Sequence, residues 1–486
     1  MLFNSFEFIF FFLPIVFSVY FLFNHFNKEN LATYWLILSC FVFYGYFNPA
    51  YLYLISLSIG VNYFLGKLLT NVKYSKWKKT ILVIGLTFNI SVLGYYKYAD
   101  FFINNMNALF GSDYNLLYVL LPLGLSFITF QMIGFLVDAY RGEIKKYSLK
   151  TFTLFVTFFP QLIAGPIIQH KETMPQFDDK KNRRINWDNV AVGLFIFIIG
   201  LTKKVAIADT VAIWANDGFT NYQSLTFLES WITSLSYTIQ LYFDFSGYCD
   251  MAIGLALLFN IKIPINFNSP YKARNIQDFW KRWHMTLNRF LTQYLYIPLG
   301  GSRLGETRTY INIFLIFFVS GFWHGAGWTF IIWGVLHGLA SIIVRFWSKT
   351  KINLPYWLSW FITFQFVNIA WVYFRANSVE QANTILIKMF QPNWDELQTF
   401  FTHPVRSFVN SATFEYSYFT LNNPKIIVLA LVILLVIAFV GKNSVQFLNT
   451  FTFKWRYITM VQCLLMLVLI TTFFMQKNSV FLYFNF

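Results

Sequence analysis

Charge is what this chain has least of. Of its 486 residues only 12% are charged, while 57% are hydrophobic and 22% aromatic. A soluble protein of this length carries about twice that charged fraction. A soluble class is therefore excluded, and a polytopic membrane protein is implied. Cysteine is scarce too. Cys40, Cys249 and Cys463 lie far apart and show no metal-ligand spacing, so they read as small core hydrophobes and no metal site is expected. No Ser or Cys nucleophile has a clear partner, and no Gly-rich phosphate loop follows a strand. The first apolar run, from Phe8 to Phe26, lacks a basic leader region and a small-residue cleavage site, so it reads as a first span rather than a signal peptide. Acids are scarcer than bases, 21 against 37, for a formal net charge of +16. The bases fall in short loops between apolar runs. The positive-inside rule accounts for them, and no nucleic-acid partner is expected.

What is there is apolar length. A span needs about 20 apolar residues, and candidate runs lie at 6–24, 31–48, 50–68, 80–97 and 115–137. Lys73, Lys76, Lys78 and Lys79 put the 71–79 loop in the cytoplasm. Arg141, Lys145, Lys146 and Lys150 do the same for the loop after the fifth run. The next run, 151–169, is followed by Lys171, Lys180, Lys181, Arg183 and Arg184. With basic flanks on both sides and prolines inside, it reads as a re-entrant segment. A complete span with a basic outer loop is the alternative. Runs at 189–215 and 228–262 are interrupted by Lys203, Lys204, Asp209, Asp244 and Asp250, which implies broken spans or helices around a polar interior. Further spans are expected at 327–347, 352–374, 425–441 and 456–476. The polar segment 376–424 carries four acids against two bases and reads as extracytoplasmic. The fold class is an all-α polytopic membrane protein with ten to twelve spans plus re-entrant pieces, in a single domain covering 1–486.

Three stretches carry chemistry. Between Thr309 and Val344 no residue is charged, yet His324 and His337 lie there. His324 is bracketed by Gly321, Gly325 and Gly327, where the backbone can bend and a substrate approach closely. A histidine at a backbone break in a membrane is a functional-site candidate, because a neutral imidazole can accept a hydroxyl proton and return it. With a continuous helix, His337 lies about 20 Å further along on another face, in a packing role. In 279–291, Trp280, Trp283, His284 and Leu287 share a helical face, which suggests an interfacial amphipathic helix. His284 is then either a hydrogen-bonded core residue or a site residue. In 240–250, Asp244 could orient a histidine, line a polar pore or cap a helix at Ser246-Gly247.

Ordered blocks along most of the chain resemble the membrane-bound O-acyltransferase (MBOAT) family. They are Phe159-Pro160-Gln161-Leu162-Ile163-Ala164-Gly165-Pro166, Tyr242-Phe243-Asp244-Phe245-Ser246-Gly247-Tyr248, Asn268-Ser269-Pro270-Tyr271-Lys272-Ala273-Arg274, Phe279-Trp280-Lys281-Arg282-Trp283-His284, Tyr296-Ile297-Pro298-Leu299-Gly300-Gly301, Trp323-His324-Gly325 and Trp371-Val372-Tyr373-Phe374-Arg375-Ala376. The match is best to the bacterial branch concerned with alginate and peptidoglycan O-acetylation, which the opening Leu2-Phe3-Asn4-Ser5-Phe6 also resembles. The resemblance implies a ring of tilted helices around a central pore, with the family's invariant histidine at His324 and a second functional histidine at His284. It implies transfer of an acyl group, usually acetyl, from a cytoplasmic thioester across the membrane to an extracytoplasmic polysaccharide. The donor is acetyl-CoA or an acyl-carrier thioester, and no bound cofactor is expected. No esterase-like domain is fused within these residues, so a separate periplasmic or membrane-anchored partner is expected. Related D-alanylation systems use a C-terminal tyrosine motif as an acyl relay. Tyr483 is the corresponding candidate here, or else an aromatic interface anchor. The alternatives are a D-alanyl or other acyl transporter of the same family, a lipid or sugar transporter without chemistry, and a scaffold for polymer export.

Overall fold

Every regular element among the described residues is helical, as the apolar periodicity requires. The computed structural model describes residues 1–144, 146–350, 352–402, 424–452, 454–475 and 481–482. Among the described residues, eight helices are long and apolar enough to cross a membrane. There are nine if Lys425–Val440 and Ser444–Thr450, bent by 50° at their break, form one span. The protein is thus an all-α polytopic membrane protein, and among the described residues span-length helices are fewer than the ten to twelve spans expected. Two of the expected runs make shorter helices, Glu29–Gly45 with 17 residues and Leu125–Tyr140 with 16. The chain divides into two compact units, Met1–Phe197 with Cys249–Ile265 and Arg289–Leu295, and Ile198–Tyr248 with Asn266–Asn288 and Tyr296–Phe486.

In the first unit, α1 (Leu13–His25) packs on α2 (Glu29–Gly45). Helices α3 (Tyr51–Thr70) and α4 (Lys78–Leu93) pack with each other and, after α5 (Ala99–Phe110), with α6 (Leu125–Tyr140). The run expected to be re-entrant forms α7 (Leu149–Thr157), started by Ser148, whose hydroxyl accepts the Thr151 N–H. Nine residues of helix reach about 13 Å, too short to cross. Residues 158–168 are then irregular and wholly buried. Protein covers this non-helical backbone, the condition under which a membrane tolerates it. Phe159 sits among Phe8, Phe12, Phe43 and Phe259 with ring centres 5.5–6.1 Å away. Gly124, at φ +70°, admits the segment closely: a Cβ there would lie 2.8 Å from the Leu162 carbonyl oxygen. Then comes α8 (His170–Asp178), held by a two-pronged Arg289–Glu172 ion pair at 2.6 and 2.8 Å.

A run of helix from Trp187 to Thr220 is α9 (Trp187–Thr202) and α10 (Asp209–Thr220), joined through a π turn at Lys203–Ala208. Helix α11 (Phe227–Leu258) is unbroken for 32 residues. Of the two expected forms, a broken span or a helix around a polar interior, the second is found: Asp244 lies inside the helix with a buried partner described below. Its most apolar window is 100% buried, which makes it a core helix. In the second unit α12 (Ile276–Trp280), α13 (Met285–Leu291), α14 (Glu306–His324), α15 (Trp328–Trp347) and α16 (Tyr356–Arg375) surround the candidate site. The described part of the polar segment is ordered as α17 (Val379–Met389) and α18 (Trp394–Thr402). Lys388 donates to the Gln223 and Leu225 carbonyls, and Glu396 accepts the Leu228 N–H. Helices α19 (Pro424–Val440), α20 (Ser444–Thr450) and α21 (Trp455–Met475) follow. In α21 only 11% of the apolar window is buried, so Met466, Leu469 and Phe473 face out, as lipid contact allows.

Candidate active site

The break foreseen at His324 is a tight helical hairpin. Helix α14 ends on His324, Gly325 and Gly327 are extended, and α15 starts at Trp328. The two helices touch backbone to backbone. A Cβ on Gly334 would lie 2.5 Å from the Phe317 carbonyl oxygen and 3.1 Å from Gly321 Cα, so small residues set this crossing. His324 is 2% exposed among the rings of Trp323, Trp333 and Phe374, at 4.8, 5.0 and 5.3 Å. Its Nδ1 is 2.7 Å from the Ser320 carbonyl oxygen. A carbonyl can only accept, so Nδ1 carries the hydrogen and Nε2 holds the lone pair.

His284 departs from the expected amphipathic helix. The 279–291 stretch is broken: α12 stops at Trp280 and α13 starts at Met285. His284 stands at the break with φ +45°, a left-handed conformation that costs about 1–2 kcal/mol for a residue with a side chain. It is fully buried, not interfacial. Asn266 holds the turn. Its Oδ1 accepts the Thr286 N–H at 3.1 Å and the Thr286 hydroxyl at 2.9 Å, and lies 3.2 Å from His284 Nδ1. The Met285 N–H donates to the Asn266 carbonyl at 3.0 Å. Since the Thr286 N–H identifies that Asn266 atom as oxygen, His284 also carries its hydrogen on Nδ1. The two rings are 6.5 Å apart, each with Nε2 as its lone-pair nitrogen. His284 lies on no candidate span. Burial first, and the neighbouring His324 second, hold its pKa well below the ordinary histidine value, so it is neutral near pH 7. Asn266→Ala is expected to keep the protein in the membrane and lower transfer about 100-fold, the scale of a 1 Å misplacement near reacting groups. Wild-type transfer rates in membranes with matched protein levels would rule out this positioning role.

His337 is nearer to His324 than a continuous helix allows, because the hairpin folds α15 back. One indole, Trp333, separates them, 4.8 Å from His337 and 5.0 Å from His324. His337 Nδ1 accepts the Trp280 indole N–H at 3.2 Å. That bond ties α12 to α15, in keeping with a packing role.

Asp244 neither orients a histidine nor caps a helix. It lies inside α11, where its Oδ1 is 2.7 Å from Lys204 Nζ, and Lys204 also meets Asp209 at 2.8 Å. Sequence reasoning noticed these charges singly and missed that they meet in one cluster. It missed Asn266 as well, an uncharged residue in an irregular stretch where no periodicity marks its role. Tyr483 lies outside the described residues. Among those residues, no group of three or more His, Cys, Asp or Glu side chains is placed to hold a metal ion.

The model of the MBOAT, membrane-bound O-acyltransferase, family matches residues 135–380, a span that contains both histidines. The chain is 45% identical to a peptidoglycan O-acetyltransferase of Helicobacter pylori, covering 100% of this chain and 98% of that protein. It is 39% identical to a probable alginate O-acetylase, AlgI, of Pseudomonas aeruginosa over 80% of this chain and 75% of the other. A teichoic acid D-alanyltransferase of Bacillus subtilis is 28% identical over 50% of this chain and 66% of its own length.

Proposed function

This chain belongs to the membrane-bound O-acyltransferase family, and from that premise we propose that it transfers an acetyl group from a cytoplasmic thioester towards an extracytoplasmic polysaccharide. It is an O-acyltransferase of the bacterial inner membrane. The observation that carries the reading is the pair of buried imidazoles, both with Nε2 as the lone-pair nitrogen, each at a backbone break between two helices. In the proposed step His324 Nε2 takes the proton of the acceptor hydroxyl as its oxygen attacks the thioester carbonyl. The new C–O bond forms, the C–S bond breaks, and the imidazolium returns its proton to the departing thiolate. His284 supports the step with a second lone pair one ring away. Two relatives named for O-acetylation, aligned over most of their length, favour acetyl over D-alanine. Acetyl-CoA or an acyl-carrier thioester serves as donor, and a separate periplasmic or membrane-anchored esterase-like protein completes delivery. The whole of 1–486 acts as one domain, with 376–424 on the outer side.

Alkaline release of esters from purified surface glycans tests the acyl group. A deletion strain complemented with this gene is expected to regain acetate in one glycan fraction, and that fraction identifies the acceptor. Recovery of D-alanine instead would replace this reading with that of a D-alanyl transporter. Tyr483 is the proposed acyl relay. Tyr483→Phe is expected to abolish export of acetate while thioester hydrolysis persists, and normal export in that variant would remove Tyr483 from the mechanism.

A further inference from the structure

We propose that the buried Lys204–Asp209–Asp244 cluster is a docking site for the chain's own C-terminal segment, with Phe481 as its anchoring ring and Leu482 as its backbone donor. The cluster is built from three separate places: the π turn after α9, the first residue of α10 and the middle of α11. The side chains of Lys204, Asp209 and Asp244 are 1%, 8% and 3% exposed. Two carboxylates face one ammonium, and each buried charge is costly unless hydrogen-bonding groups reach it. The C-terminal segment supplies one. Asp244 gives Oδ1 to Lys204, and its Oδ2 accepts the Leu482 N–H at 2.9 Å. A backbone N–H on an ionised carboxylate is among the stronger hydrogen bonds. The Phe481 ring centre is 4.5 Å from Lys204 Nζ, and the ring stands edge-on to Tyr248 at 4.7 Å. Phe481 is 0% exposed. A ring face on an ammonium is attractive, more so away from water. Phe481 and Leu482 thus answer both signs of the cluster, the ring on the ammonium and the N–H on the carboxylate.

Docking fixes the backbone one residue before Tyr483. The docking does not depend on the acyl relay, but its use in transfer does.

Hydrogen–deuterium exchange on the purified full chain in detergent tests the site. The Leu482 amide is expected to exchange about 100-fold more slowly than in a free peptide of the same sequence, as for an amide closed in a structured unit. Phe481→Ala keeps all three charges and removes only the ring. Asp244→Ala removes the acceptor of the Leu482 N–H while Lys204 keeps its contact with Asp209. Both are expected to abolish protection at Leu482 while α14 and α15 keep theirs. Exchange of wild-type Leu482 at the free-peptide rate, or full protection surviving in both variants, would overturn the docking site. Protection intact in Tyr483→Phe with acetate export normal would remove the relay and leave the docking site standing.

Discussion

Replacing His324 by alanine is expected to cost at least 100-fold in acetate transfer, with the protein still reaching the membrane. General base catalysis by one positioned group contributes about 10²–10⁴-fold, and His324 is the group whose tautomer the backbone sets. The Ser320 carbonyl fixes hydrogen on Nδ1 at 2.7 Å; Nε2 is left as the base. Alanine removes the base and also a ring from contact with Trp323, Trp333 and Phe374, so a lost activity could reflect lost packing. His324→Gln separates the two. Its side chain fills much of the space and can accept a hydrogen bond, but it cannot hold a transferred proton near pH 7. Both variants are expected to fall to a similar residual rate when acetate on the surface glycan is measured at equal membrane levels. Wild-type acetylation by either variant would eliminate His324 as the base. A transporter without chemistry, or a scaffold, would then explain the chain better.

How much of this was legible in the sequence follows from how local each signal is. Apolar runs and basic loops mark spans because the bilayer acts on each residue separately, and the helices at Tyr51–Thr70 and Trp328–Trp347 lie close to their runs. The glycines around His324 announced a break for the same reason, since they change the backbone at their own positions. The hairpin that brings His337 within one indole of His324 is a different matter. It depends on Gly321 meeting Gly334, a pairing that no periodicity encodes. His284 shows the limit most clearly. Its helical spacing with Trp280 and Leu287 is real, yet the chain gives up that helix at the left-handed turn because Asn266, 18 residues earlier, offers Oδ1 to Thr286 and His284. Backbone held in an unfavourable region by surrounding bonds is common at functional sites, and such strain is invisible to a reading built on local preference. Asp244 failed for a related reason. A carboxylate in an apolar helix announces a partner but not which one, and Lys204, 40 residues away in the chain, is chosen by the packing of α11 against the π turn.

That partnership sets the largest stability effect expected in this protein. Lys204→Met should destabilise the fold by about 3–5 kcal/mol, the usual cost of taking one member out of a buried ion pair. The ammonium meets both carboxylates, at 2.8 and 2.7 Å. Its loss takes from both buried carboxylates the ammonium that each meets. They must either take up protons or draw water into the core. If the damage is electrostatic rather than steric, removing the acids as well should repair it. The triple replacement Lys204→Met, Asp209→Leu, Asp244→Leu is expected to recover most of the lost stability, because exchanging a whole buried ion cluster for apolar groups of similar volume is often neutral or favourable. Thermal unfolding in detergent measures both. A single variant that melts like wild type would mean the cluster is already hydrated and contributes little. A triple variant as unstable as the single would mean that shape, not charge, holds this part of the core. The same comparison separates stability from chemistry: Lys204→Met should lower the melting temperature, whereas His324→Gln should lose transfer with its melting temperature nearly unchanged.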